Sequence, residues 1–427
     1  MHRYVIVLFL SFFFSSIFAQ TIQNEDAVYD KNIQTVLLHH ISNQLNPPVI
    51  RLGSSDRLRL SFDDFSEETY LFKYTLIHCD ANWQTSDMEQ MEYLDGFYEG
   101  EIRDYEFSFN AIPPYIHYDL VFPNDEVRIR LSGNYILKVY VDTPEDENVV
   151  FTRRFFVVEQ LVKVQATIPY YPKNLAYTRK KQQIDLTLFT PDLFNAEPEM
   201  RINVTIRQNG RWDNMKSGLK PTSIMMNQLD YDYPDGIVFD GGNQFRNFDM
   251  KSFWYQSMYI RRIVSDENGY NVILYPDQPK AHKPYETIED INGKKLIKAR
   301  KDQRTSIEGE YAWVDFTLKQ SEIKNATVYI LGALNDWKLD KKSRMQYNPT
   351  RHQYEGDLLL KQGYYNYVYV VVPDGKTEGD ITLIEGDHWE TDNDYYIYVY
   401  YREKVPDYDR LVGYKKMNSF NDRTNQN

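Results

Sequence analysis

Apolar and polar residues alternate with a period of two along most of this chain. Leu58-Arg59-Leu60-Ser61-Phe62 and Val127-Arg128-Ile129-Arg130-Leu131 alternate in this way. So does Tyr311-Ala312-Trp313-Val314-Asp315-Phe316-Thr317-Leu318. Successive side chains of a strand point to opposite faces, so this pattern predicts half-buried strands. Residues 135–141 and 149–158 are two such runs joined by a polar turn, which reads as a hairpin. Further strands are expected at 184–188, 202–207, 237–239, 257–263, 271–275, 327–332, 364–372 and 395–401. Asn209-Gly210 follows one of them and predicts a tight type I′ turn. Helical spacing is scarce. In residues 27–44 the apolar positions Val28, Ile33, Val36, Leu37 and Ile41 suggest a turn or two of helix.

Strands at this spacing predict an all-β protein of tandem immunoglobulin-like or early-set β-sandwich domains. The expected layout begins with a signal peptide at 1–19, an N-terminal extension at 20–44 and a first sandwich at 45–160. A second β domain at 161–305 ends in a basic linker, 306–414 forms the third sandwich, and 415–427 is a flexible tail. The linker assignment rests on residues 280–304, which are rich in Lys and Arg and poor in alternation. The signal peptide rests on a polar start, an apolar run over residues 4–14 and the small-residue stretch ending at Ala19. That run is too short to span a bilayer, and no later stretch is long and apolar enough, so no transmembrane segment is expected.

Composition narrows the function. Hydrophobic residues make up 42% of the 427, and 36 are Tyr, ample for packed cores. The net charge of −13 repels phosphate backbones, so a nucleic-acid partner is not expected. The acid is concentrated: between residues 63 and 104 twelve carboxylates face only Lys73 and Arg103, a solvated face or a surface for a basic partner.

No catalytic, cofactor-binding or metal-binding residue emerges. The phosphate-loop, dinucleotide, nucleophile-elbow and zinc-helix motifs are absent. Cys79 is the only cysteine, which excludes an intrachain disulfide, and its apolar surroundings suggest a buried thiol. His78 and Asp80 share a strand face and could seed an acid/base pair, but no motif supplies a nucleophile; a satisfied strand-end histidine is the competing reading. The chain therefore reads as a binder and not an enzyme.

Several ordered words resemble a known family. They include Leu58-Arg59-Leu60-Ser61-Phe62-Asp63-Asp64, Tyr74-Thr75-Leu76-Ile77-His78-Cys79-Asp80-Ala81-Asn82-Trp83 and Gln90-Met91-Glu92-Tyr93-Leu94-Asp95-Gly96-Phe97. Leu131-Ser132-Gly133-Asn134-Tyr135 and Thr152-Arg153-Arg154-Phe155 continue the series. Together they resemble the N-terminal domain of the type IX secretion system plug proteins of the Bacteroidota. Asp387-His388-Trp389-Glu390-Thr391-Asp392-Asn393 resembles that family's C-terminal end. The resemblance implies a periplasmic protein at the inner face of the outer membrane. Its partner would be the large outer-membrane β-barrel translocon, whose periplasmic opening it occludes. Residues 328–337, with Gly363-Tyr364-Tyr365-Asn366-Tyr367, resemble the early-set sandwich of glycogen- and starch-binding modules. By that resemblance Trp337 is either a packed turn aromatic or a sugar platform, the latter giving a carbohydrate-binding envelope protein as the alternative.

Overall fold

The computed structural model describes residues 22–191, 193, 197–267 and 269–424. The expected signal peptide at 1–19 and the last residues of the expected tail, 425–427, lie outside the described residues. What is described is all-β, three sandwiches with only single-turn helices between strands.

In the first sandwich one sheet runs Ala27–Val28, Val149–Val158, Gly133–Val141, Phe72–Cys79 and Glu99–Ile102, with Val49–Arg51 parallel to Val149–Val158. The facing sheet runs Ile33–His40, Leu58–Asp64, Ile116–Phe122 and Asp104–Phe107. Alternate residues of both sheets meet in an aromatic core. Phe62 stacks on Tyr118 at 5.1 Å and meets Phe72 and Phe151 edge-on, geometries that aromatic pairs prefer.

The segment expected as a partly helical extension is instead an edge strand of this sandwich. Between Gln34 and Leu37 it carries one more residue than its partner, which passes from Asp63 to Ser61 over the same stretch. Thr35 takes up this bulge with φ of 50°. The bulge sets the two core-facing residues Ile33 and Val36 three apart, which imitates helical spacing.

The second and third sandwiches are nested, not consecutive. In the second, one sheet comprises Lys163–Pro169, Lys181–Phe189, Ser223–Met225, Gln228–Asp230, Ile237–Asp240 and Arg423–Thr424. The other comprises Lys216–Leu219, Ile202–Gln208, Asp394–Arg402 and Asp409–Asn418. The third sandwich is inserted between Ile237–Asp240 and Asp394–Arg402. It packs Ile260–Asp266, Gly269–Leu274, Tyr311–Leu318, Gln353–Lys361 and Gln346–Asn348 against Arg246–Asp249, Gly363–Pro373, Lys295–Ile297 and Ala326–Leu331.

The structure thus draws the boundaries away from 161–305 and 306–414. Alternation marks each strand but not the sheet it joins, and the chain leaves the second core and returns to it. Residues 280–304 are no linker either. They contribute the strand Lys295–Ile297, and their cations reach carboxylates nearby: Lys294 pairs with Asp394 at 2.5 Å and Lys295 with Asp336 at 3.2 Å. Residues 415–418 are strand, not tail, and Arg423–Thr424 pairs with Ile168 and Pro169. Asn209 does take a left-handed φ of 53°, but the chain first pairs back at Lys216, so the two-residue turn is not formed.

Asp394–Arg402 locks the first two sandwiches together. Tyr395, Ile397, Val399 and Tyr401 enter the second core, while Tyr396, Tyr398 and Tyr400 point at the first sandwich. Tyr398 stacks on Phe156 at 4.3 Å, and Tyr400 donates to the Asn134 side chain at 2.9 Å. Beside them Trp212 lies between two guanidinium groups, Arg154 at 4.2 Å and Arg207 at 4.1 Å, each contact attracted by the ring quadrupole.

Candidate docking surface

The first sandwich ends in two edge strands that follow one another in sequence. Glu99–Ile102 closes one sheet and Asp104–Phe107 the other, with the chain crossing over at Arg103. Among the described residues Asp104–Phe107 pairs on one side only, with Ile116–Phe122, and all four of its residues are exposed. Phe97, Phe107 and Phe109 are 67%, 60% and 61% exposed, and Tyr70, Leu71, Tyr98 and Tyr105 are exposed beside them. Tyr105 meets Phe107 edge-on at 6.0 Å and lies 5.7 Å from Tyr118, while the Tyr70 N–H donates to the Tyr118 hydroxyl. Tyr70, Tyr105 and Phe107 are thereby tied through Tyr118 into one patch, with Phe97 and Phe109 exposed on the segments that flank it in sequence. An exposed aromatic edge is a hazard that proteins usually avoid, and a patch of this kind marks an interaction surface.

Acidic residues interleave with the rings. Glu101 and Glu126 pair with Arg103, Tyr140 donates to Glu99 at 2.5 Å, and Arg304 of the third sandwich grips both oxygens of Glu106 at 2.8 Å. The acid-rich stretch of the sequence is thereby divided. Its downstream half borders this patch, but Asp80 caps a turn by accepting from the N–H groups of Asn82 and Gln84, and Asp63 and Asp64 are buried.

Asp63 sits in the joint between the first and third sandwiches. Lys361 reaches it at 2.6 Å, His117 Nδ1 at 2.6 Å, and the Tyr311 hydroxyl donates to it at 2.5 Å. Burial alone would raise its carboxyl, but the Lys361 ammonium and the His117 contacts outweigh it and hold Asp63 below the ordinary carboxylate range. Around this pair, Phe109 N–H donates to the Ile307 carbonyl, Ile112 N–H to Glu310, and the Tyr115 hydroxyl to the Gly309 carbonyl. The loop that carries Phe109 is thus clamped onto the third sandwich, and the aromatic patch has a rigid backing.

The other residues singled out by sequence are structural. His78 is fully buried, with Nε2 3.1 Å from the Ser132 carbonyl oxygen and Nδ1 3.0 Å from Ser86 Oγ. Burial drives its pKa down to about 4. The Cys79 thiol is pushed up to about 12, again by burial, which keeps it in the unreactive form. Trp337 is wedged between Gly210 and Gly293, where a methyl group on either glycine would overlap the ring, and meets Phe245 edge-on at 6.1 Å. It packs the joint formed by these segments and is only partly exposed. Among the described residues no three His, Cys, Asp or Glu side chains are grouped to hold a metal ion. No helix among them is long and apolar enough to cross a membrane.

Sequence reasoning missed the aromatic patch. Tyr105, Phe107 and Phe109 alternate with Glu106 and Ser108 just as a core strand would. Only the tertiary arrangement reveals that this strand is the last of its sheet.

Residues 33–159 match a model described as the type 9 secretion system plug protein 1st domain, and this span coincides with the first sandwich and its aromatic edge. A crystal structure of a hypothetical protein from Parabacteroides merdae is similar over 93% of this chain and all of its own, with 32% identity and a TM-score of 0.89. A biofilm-associated protein BSP domain has 8% identity over 93% of this chain and 61% of its own; its TM-score of 0.20 carries no argument. No curated protein matches.

Proposed function

Because the chain belongs to the type IX secretion system plug protein family, we propose that it works in the periplasm by binding and occluding the inner mouth of the outer-membrane β-barrel translocon. Membership makes it a cell-envelope protein of the type IX system. On the proposed reading, residues 1–19 direct export, the partner is the translocon barrel, and the action is steric and not catalytic. The observation that carries this is the exposed aromatic edge, Phe97, Tyr105, Phe107 and Phe109, on the very domain that matches the family. Buried aromatic anchors supply most of the energy of a protein interface, and a pre-rigidified surface loses little entropy on docking. Asp63 and Tyr398 join the three sandwiches into a block suited to filling an opening. The wedged position of Trp337 speaks against the carbohydrate alternative.

Affinity purification from native envelopes tests the proposal. Tagged wild type should recover a very large outer-membrane barrel. Phe107→Asp with Phe109→Asp, both at exposed positions, should cut that recovery at least tenfold while leaving the melting temperature in place. Equal recovery by the double variant would exclude this edge as the docking surface, and failure of wild type to recover a barrel would overturn the function.

A further inference from the structure

A cleft of about 1630 Å³ opens between the first and third sandwiches. Its floor is the outer face of Tyr311–Leu318 and Gln353–Lys361, on which Trp313 is 50% exposed beside Leu359. Eleven Lys and Arg line it against five Asp and Glu, in a chain whose 62 acids outnumber its 49 bases. Arg153 and Lys295 are committed to Asp336. Lys31, Arg261, Lys319, Lys341, Lys342 and Arg344 are exposed and, among the described residues, have no carboxylate partner. The floor has the opposite character: Asp315 lies across from Asp357, with Glu355 two residues along.

We propose that this cleft binds an extended acidic segment of another protein, with its carboxylates on the rim cations and its alternate apolar side chains on Trp313 and Leu359. The size exceeds the roughly 300–1,000 Å³ of a small-molecule site and suits a polymer. Alternation decides which polymer. An extended peptide sends successive side chains to opposite sides, so its charges reach the rim while uncharged groups face the floor. A polysaccharide charged on every unit would bring anions against Asp315, Asp357 and Glu355. The site is separate from the aromatic edge and does not depend on the translocon reading.

Fluorescence anisotropy with a labelled peptide of about ten residues alternating Glu and Val, roughly 33 Å when extended, tests it on the full chain. Polygalacturonate and an alternating Lys-Val peptide serve as comparisons. The Glu-Val peptide should bind, and should weaken steeply as salt rises because the rim charges are exposed. Lys341→Glu, Lys342→Glu and Arg344→Glu together should weaken it at least tenfold, and Trp313→Ala should weaken it separately, with thermal melts confirming that both variants fold. No peptide binding, equal binding by the triple variant, or binding of polygalacturonate in preference to the peptide would each overturn the proposal.

Discussion

Replacing Lys361 by Met tests how the first and third sandwiches are held together. The side chain is 2% exposed and Asp63 is 1% exposed, so the change leaves a carboxylate in a dry joint without its cation. Breaking a buried pair at one partner costs about 3–5 kcal/mol. His117 and Tyr311 still reach Asp63, which puts the expected loss near the lower end, about 3 kcal/mol. For units of this size that is a fall in melting temperature of roughly 6–12 °C. The double variant Asp63→Asn with Lys361→Met removes both charges and should regain at least ~1 kcal/mol over the single one. The pH dependence gives a second signature. In the wild type Asp63 is depressed, so its contribution is present above the unfolded carboxyl pKa and lost as pH falls. In Lys361→Met the Lys361 contribution is gone while burial still opposes ionisation, so less stability is gained as pH rises through the carboxylate range. The deficit relative to wild type should therefore be larger at pH 7 than at pH 4.5. Differential scanning calorimetry measures all three chains. A double variant less stable than the single one, or a deficit that grows on acidification, would refute the account of this joint.

His78 has a folded pKa of about 4 against 6.5 unfolded, so its contribution is complete above pH 6.5 and is lost as pH falls toward 4. The full span amounts to about 3 kcal/mol, and a His78→Gln variant should show a correspondingly flatter stability profile by denaturant titration between those pH values. Gly210→Ala should lower the melting temperature because its Cβ would sit 1.9 Å from Trp337 Nε1; an overpacking cost of about 1–3 kcal/mol is expected. Combining it with Trp337→Phe should recover part of that loss.

Where local pattern decides, the sequence was readable. The strand expected at 311–318 has those limits in the structure, and 149–158 likewise. What escaped was whatever depends on partners remote in sequence. The bulge at Thr35 shifted the apolar period and disguised a strand as a helix. The basic stretch 280–304 looked solvated because the carboxylates that meet Lys294 and Lys295 lie far along the chain, at Asp394 and Asp336. At the candidate site the same limit applied. The ordered words across the first sandwich carried the family, but nothing in the pattern marked the rings of this edge as exposed. The solvent face of Asp104–Phe107 follows from its place at the end of a sheet, which alternation does not encode.

The nested insertion of the third sandwich also dictates an order of assembly. Ile202 pairs with Tyr401 and Gln208 with Tyr395, so the second core has no closing strands until the whole third sandwich has been made. Contacts this distant in sequence form slowly. The first sandwich pairs only residues that precede 160, Ala27 with Thr152 among them, so it can close before the later residues emerge. Its seam with the second sandwich waits for Tyr396, Tyr398 and Tyr400, since they supply the opposing half of that contact. A chain emerging from its amino end would therefore join its first and third sandwiches at Asp63 and Lys361 before those three tyrosines arrive to fasten the second.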